Sequence, residues 1–139
     1  MAYDTDNIFA RVLRGEIPCH RVHEDADTLA FMDIMPQAEG HTLVIPKAAA
    51  PDIFSASPEA LAATIRTTQR IAAAVSKAFD APGVMVAQLN GPAAGQTVFH
   101  LHFHVIPRYA GKDFRMRSGA RVDDAVLAAH AARIRAALQ

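Results

Sequence analysis

Three histidines alternate with three apolar residues in one stretch of the chain: His100, Leu101, His102, Phe103, His104 and Val105. Successive side chains of a β-strand point to opposite faces, so this spacing would direct all three imidazoles to one face. An unperturbed imidazole has a pKa of about 6.5, so a large share of it is neutral and nucleophilic near pH 7. The pattern predicts a half-buried strand over 98–106 that carries a row of imidazoles on its open face.

Three interpretations of this row differ in their chemistry. A strand whose histidines have no chemical role is the simplest, but three alternating positions among seven histidines argue against coincidence. A metal site is the second, because neutral imidazole ligates zinc. Strand residues rise by about 3.3 Å each, which separates the backbones of His100 and His104 by about 13 Å. Because zinc–nitrogen bonds are only about 2.0–2.1 Å long, a metal would need another ligand, such as His41 or Asp33.

The third interpretation is phosphate chemistry in which the histidines divide the work. One imidazole could attack phosphorus while a neighbour, kept cationic by the phosphate, donates hydrogen bonds. The preceding loop fits this chemistry, because Gly91 and Gly95 let the backbone approach an anion. Gln96 and Thr97 add an amide and a hydroxyl to the same loop. Together these features point to phosphoryl or nucleotidyl transfer.

Length and composition narrow the class of protein. The chain has 139 residues, with 14 acidic and 14 basic side chains, which fits one domain over 1–139 and argues against a nucleic-acid groove or a polybasic membrane anchor. No apolar run approaches the roughly 20 residues of a membrane span, and the first residues lack the features of a secretory signal. Cys19 is the single cysteine, which favours a reducing compartment. We expect a soluble, cytoplasmic protein.

Hydrophobic spacing and turn residues divide the chain into five strands and three helices. The predicted strands are 20–24, 28–34, 41–47, 84–89 and 98–106. The predicted helices are a short one over 7–13 with Asp6 as its N-cap, a long one that follows the N-cap Ser57, and a closing one over 123–138. This order, with hairpin-length connections, predicts an α+β domain: an antiparallel five-stranded sheet with helices on one side.

The histidine stretch resembles the signature of the histidine triad (HIT) nucleotide hydrolases and transferases. That signature is His-x-His-x-His followed by two apolar residues, and positions 100–106 match it fully. Three further blocks resemble the same family: 15–18, 29–34 and 40–47. The resemblance covers about residues 7–109 as a HIT core, and it leaves 110–139 as a C-terminal helical extension.

The resemblance implies roles for the residues around the triad. His102 would be the nucleophile that attacks the α-phosphate of a nucleotide and forms a nucleotidyl-histidine, which water then hydrolyses. His104 and His100 would hold and orient the phosphate. Thr97 and Gln96 would serve the phosphate or the leaving group, together with the glycine loop at Gly95.

The resemblance also implies a nucleotide-binding pocket. Asp33 would accept the ribose hydroxyls, which explains a carboxylate at the end of an apolar strand. The base pocket would be lined by Phe9, Phe31 and Ile34, although Phe9 and Phe31 also suit an ordinary core. Asn90 would lie beside the phosphate, and His41 would lie near the site or else be a surface histidine that begins a strand.

The chain departs from the family at three positions. Many bacterial relatives carry Cys-x-x-Cys and a later histidine that, with the first triad histidine, bind a structural zinc. Asn7, Ala10 and Ala49 occupy those positions here. We therefore expect no structural zinc and no required cofactor, and we expect His100 to form hydrogen bonds within the site.

The leading functional hypothesis is an enzyme that hydrolyses or transfers a nucleoside monophosphate group. The group would be a purine nucleoside monophosphate, and the substrate would be a nucleoside phosphoramidate, an adenylate or a dinucleoside polyphosphate. A non-catalytic nucleotide-binding adaptor on the same fold is the alternative, and metal-dependent hydrolysis is a third. The resemblance further implies a homodimer in which two five-stranded sheets join.

Overall fold

A computed structural model describes residues 2–114 and 119–139. It contains three α-helices, five strands and a short 3₁₀ helix at Pro92–Ala94 within the described residues. The helices are α1 (Ile8–Leu13), α2 (Pro58–Ala78) and α3 (Asp124–Ala137), and the strands are β1 (Arg21–Glu24), β2 (Thr28–Met32), β3 (Thr42–Pro46), β4 (Gly83–Gln88) and β5 (Phe103–Arg108). The predicted α+β class and the five-stranded sheet are confirmed.

The sheet is antiparallel throughout, with the strand order β1-β2-β3-β5-β4. β5 therefore lies between β3 and β4, where Leu43 and Ala87 are its partners on either side of His104. This central position fixes the end of the histidine stretch by backbone hydrogen bonds on both sides.

The two faces of the sheet are covered differently. α2 and α3 pack on one face over a core that includes Val44, Leu101 and Val105. α1 packs on the opposite face, where Phe9 joins a second apolar cluster with alternate residues of β2 and β3. The expectation that all helices lie on one side is therefore wrong. The amphipathic α1 finds apolar partners there because β2 and β3 are buried on both faces.

The long helices pack closely because of small and polar residues. Ser57 caps α2 by accepting a hydrogen bond from the Ala60 amide, as expected. Buried Thr64 and Thr68 donate their hydroxyls to carbonyls one turn earlier, which satisfies them inside the core. Leu127, Ala131 and Ile134 of α3 are buried in the same core, so the C-terminal helix packs against the sheet.

Two boundaries differ from the predictions. Asn7, and not Asp6, caps α1, because its side-chain oxygen accepts the amides of Phe9 and Ala10. β5 begins at Phe103, so the predicted strand over 98–106 starts too early. The residues before it bend away, and the Leu101 amide donates to Ala50 at 2.8 Å.

Two further predictions concern a membrane span and the C-terminal extension. No helix among the described residues is long and apolar enough to cross a membrane. Residues 115–118 of the predicted C-terminal extension lie outside the described residues.

Candidate active site

A cavity of about 440 Å³ opens on the α1 face of the sheet, beside the start of β5. Nine of the residues singled out in the sequence line it: Phe9, Phe31, Asp33, Ile34, His41, Gly95, Thr97, His102 and His104. His100, Asn90 and Gln96 are not among the lining residues. Most of the remaining lining is apolar, as in small-molecule sites generally.

The proton of His102 is placed by a backbone carbonyl. Its Nδ1 lies 2.7 Å from the carbonyl oxygen of His100, and because a carbonyl can only accept, Nδ1 must carry the hydrogen. Burial lowers the pKa of His102, so the ring is neutral near pH 7. Nε2 then keeps its lone pair, which is the form a nucleophile needs.

The proton of His104 is placed by a chain of two hydrogen bonds. The Gln37 backbone amide donates to Nδ1 of His41 at 2.9 Å, so the hydrogen of His41 resides on Nε2. That Nε2–H points at Nδ1 of His104, 3.0 Å away. Nδ1 of His104 must accept, and its hydrogen is on Nε2.

Both rings of this pair are neutral at physiological pH. Burial lowers the pKa of His41 to about 3, with His104 and His102 as further causes. Burial and then His102 lower the pKa of His104 to about 4. The 3.5 Å approach of His41 Nε2 to Asp33 is therefore a contact with a neutral imidazole and not an ion pair.

The Nε2 atoms of the two cavity histidines consequently have opposite hydrogen-bonding roles. The rings of His102 and His104 lie 5.0 Å apart between centroids; one has a lone pair on Nε2 and the other has a hydrogen there. Phe9 contacts His102 edge-on at 5.0 Å and helps to hold the ring. This pairing of a nucleophile with a hydrogen-bond donor is the arrangement that attack on a phosphate requires.

His100 occupies a different environment from the other two. It is fully buried and does not line the cavity, so the prediction of three imidazoles on one open face is wrong for this residue. Its Nε2–H donates to the Pro46 carbonyl at 2.8 Å, and its Nδ1 accepts from the Tyr3 hydroxyl at 2.6 Å. The alternation fails here because His100 belongs to the bend at 98–100, which precedes β5.

The loop before the triad is braced from inside by Gln96. Its Oε1 accepts from the Gly91 amide at 2.7 Å, and its Nε2 donates to the carbonyls of Pro51 and Val98. The side-chain amide is thus occupied within the loop, which differs from the expected direct contact with a phosphate. Gly95 has a φ of +98°, a left-handed conformation that favours glycine.

Asn90 has a similar bracing position. Its Oδ1 accepts from the Ile53 amide at 2.8 Å, and its Nδ2 donates to Gln88 at 2.8 Å. Thr97 does line the cavity. Of the loop residues singled out in the sequence, Gly95 and Thr97 are therefore the ones that line the cavity.

Asp33 directly follows β2, and one of its carboxylate oxygens accepts a hydrogen bond from the backbone. Oδ1 accepts from the Met35 amide at 2.8 Å, while burial raises the pKa of the carboxyl to about 6. Ile34 beside it is 38% exposed. Phe9 and Phe31 meet edge-on at 5.3 Å, and both line the cavity and belong to a core cluster.

One group of side chains could be considered for a metal ion. Ligand atoms of Asp33, His41 and His104 lie within 4.8 Å of one another. The Gln37 amide, however, keeps the hydrogen of His41 on Nε2, so the nitrogen that faces this group has no lone pair to offer a metal. Asn7, at a position where relatives carry a zinc ligand, caps α1 instead.

Several contributors to the site carry no signal in the sequence. Leu43, Leu89 and Val98 line the cavity, but nothing distinguishes them from ordinary strand or loop residues. Tyr3 contacts His100 from 97 residues away, and the Gln37 backbone amide contacts His41 from the loop before β3. A backbone amide has no sequence signature, so the role of Gln37 could not have been found from residue types.

Comparison with known proteins gives a consistent result. The HIT domain family model matches residues 14–111. A crystal structure of a HIT-like protein from Bartonella henselae involved in cell-cycle regulation is 51% identical, with a TM-score of 0.92 over 98% of this chain and 99% of that chain. A hypothetical histidine triad nucleotide-binding protein from Sulfolobus tokodaii is 27% identical, with a TM-score of 0.86 over 94% and 90% of the two chains.

Adenylylsulfatase HINT3 of Arabidopsis thaliana is 38% identical over 103 residues, which are 74% of this chain and 52% of that protein. The family match covers well over half of the chain, and it includes the complete triad and Asp33. The fold, the motif and these similarities agree. The chain belongs to the histidine triad (HIT) family.

Proposed function

We propose that this protein cleaves at the α-phosphate of a nucleotide through a covalent nucleotidyl-histidine on His102. The single observation that carries this proposal is the opposite placement of hydrogens on His102 and His104 in one cavity. A binding site has no need of a neutral imidazole whose lone pair is held beside a second imidazole that donates. Membership in a family of nucleotide-binding hydrolases and transferases supports it.

The proposed reaction has two steps. Nε2 of His102 attacks the α-phosphorus, a phosphorus–nitrogen bond forms, and the bond to the leaving group breaks. Nε2–H of His104 hydrogen-bonds to the phosphoryl group as charge develops on it. The leaving group departs with the electron pair of its broken bond. Water then attacks phosphorus and loses a proton to the solvent, the phosphorus–nitrogen bond breaks with its electron pair returning to His102, and a nucleoside monophosphate is released.

The cavity lining supplies groups for each part of a nucleoside monophosphate. The aromatic rings of Phe9 and Phe31 offer apolar surface to a purine base. Asp33 would accept hydrogen bonds from ribose hydroxyls, and Gly95 and Thr97 would contact the phosphate together with the histidines. Neither structural zinc nor another cofactor is part of this proposal.

The leaving group is the least constrained part of the substrate. The similarity to an adenylylsulfatase supports adenylates, while phosphoramidates and dinucleoside polyphosphates share the same α-phosphate. The test is turnover of adenosine phosphoramidate, lysine adenylate, adenylyl sulfate and diadenosine polyphosphates on one preparation. Turnover of none of them, with AMP still bound, would favour a non-catalytic adaptor. Loss of turnover on chelation, restored by metal, would favour metal-dependent hydrolysis.

The affinity for ribose should depend on the charge of Asp33. Its carboxyl has a pKa raised to about 6, so it loses its charge as the pH falls below that value. We expect kcat/KM to decline below about pH 6, where His104 stays neutral because its pKa is lowered to about 4. Asp33→Asn should lower kcat/KM by about 10²-fold and flatten the profile between pH 5 and 8.

The matched control is the 2′-deoxy analogue of the substrate. The native protein should discriminate against it, and Asp33→Asn should not, because the acceptor for the hydroxyl is already weakened. Equal discrimination by both proteins would show that Asp33 does not bind the ribose.

We also propose a homodimer formed through β4. β4 is an edge strand of the sheet, and its Val86 is 45% exposed. Unpaired edge strands favour strand addition, and lysine opposes it. We expect sedimentation to show a dimer for the native protein and for Val126→Lys on α3, and a monomer for Val86→Lys. A native monomer would contradict the proposal.

A cytoplasmic location completes the proposed function. It is supported by the single cysteine, Cys19, which is half-buried and unpaired.

A further inference from the structure

We propose that Tyr3 is a positioning residue for the reaction, which acts on the nucleophile His102 through His100. The inference rests on the proposed function, since it assigns the support of that nucleophile. It concerns a residue outside the matched family region, in the segment that precedes α1.

Tyr3 completes the hydrogen bonding of a fully buried imidazole. Its hydroxyl lies 2.6 Å from Nδ1 of His100, and the two rings meet edge-on at 5.6 Å between centroids. On the other side of the ring, Nε2 donates to the Pro46 carbonyl at 2.8 Å. Because Nε2 carries the hydrogen, Nδ1 is an acceptor, and the tyrosine hydroxyl is its donor.

The backbone of His100 connects this contact to the nucleophile. Its carbonyl oxygen accepts the Nδ1 hydrogen of His102 at 2.7 Å, and that bond leaves the lone pair of His102 on Nε2. The orientation of the nucleophile therefore depends on where the peptide group of His100 lies.

That peptide group has little support from the sheet. The pairing of β5 with β3 and β4 begins at Phe103, so His100 precedes the regular ladder. The Leu101 amide donates to Ala50, and the side chain of His100 is held by Tyr3 and Pro46. A contact that fixes the His100 ring thus helps to fix the carbonyl that directs His102.

Loss of the hydroxyl should move this arrangement without unfolding the protein. A buried acceptor left without a donor favours any change that restores its partner, and here the ring of His100 would rotate. Small displacements of a reacting group reduce rates strongly while binding contacts remain. The expected signature is a fall in kcat with little change in KM.

The test compares Tyr3→Phe with Tyr109→Phe. Tyr109 donates to the Phe79 carbonyl at 2.8 Å and does not line the cavity, so it controls for the loss of a tyrosine hydrogen bond. We expect Tyr3→Phe to lower kcat and the rate of adduct formation by about tenfold, with KM within twofold, and Tyr109→Phe to leave kcat unchanged. Their melting temperatures should be similar.

A second measurement needs no turnover. Nitrogen-15 NMR of the histidine rings should show His100 as the Nε2–H form in the native protein, with a changed Nδ1 shift in Tyr3→Phe and no change in Tyr109→Phe. An unchanged His100 signal, or a native kcat in Tyr3→Phe, would overturn the proposal. If the native protein turned over none of the substrates, the proposed function would fail, while the NMR result would still report on the Tyr3 contact.

Discussion

Replacement of His102 by alanine is expected to lower turnover by at least about 10⁴-fold, because it removes the group that would form the covalent intermediate. The folded state should survive, since His102 lines a cavity and belongs to neither apolar core cluster. AMP should still bind. The measurements are single-turnover kinetics, calorimetric titration with AMP, and mass spectrometry of native protein quenched in alkali, where the phosphorus–nitrogen bond persists and one nucleotidyl group should be gained.

The control for this substitution is His130→Ala. His130 lies on α3, on the opposite face of the sheet, where its ring contacts Phe79. It should retain native turnover and the same adduct. An adduct that persists in His102→Ala, or full activity of that variant, would refute the assignment of the nucleophile.

Replacement of His104 by alanine is expected to lower kcat by about 10²- to 10³-fold, the range found when one donor to a developing charge is removed. His102 would still attack, but the phosphoryl group would lose the Nε2–H that faces it. His41→Ala should cost less, about tenfold, because His104 would remain but its hydrogen would no longer be directed to Nε2. His41→Gln, whose amide can still donate to Nδ1, should recover part of the loss.

The double variant gives the sharper result. If His41 acts only through the 3.0 Å hydrogen bond to His104, then adding His41→Ala to His104→Ala should change kcat no further. Independent, multiplicative losses would show that His41 contacts the substrate directly. All four proteins should be compared for melting temperature, because His41 is buried and its removal leaves the Gln37 amide without its acceptor.

The sequence was sufficient to predict the elements and nine of the residues that line the cavity. Alternation of histidine with Leu101, Phe103 and Val105 placed the apolar residues in the core, and the structure buries all three. Local signals such as Ser57 before Pro58 located α2, because a cap depends on neighbouring residues alone. The resemblance to the HIT family assigned roles to Asp33, His41 and Thr97, and all three line the cavity.

Predictions from periodicity failed where the chain leaves regular structure. His100 has the same spacing as His104, yet it lies in a bend before β5 and is fully buried. Gln96 has the composition of a phosphate ligand but braces its own loop. A residue type states what a side chain can bind, whereas the partner within reach depends on backbone geometry.

The sequence by itself determined which groups this protein has for phosphate chemistry: three imidazoles, a carboxylate and a glycine loop. Only the tertiary structure decided which nitrogen of each imidazole carries the hydrogen. For His102 the partner that settles this is the carbonyl of His100, two residues away. For His100 and His104 the partners are Tyr3, Pro46 and His41, which lie 97, 54 and 63 residues away from the histidines they contact. Such contacts arise from the pairing of strands and the docking of segments, so spacing along the chain does not encode them.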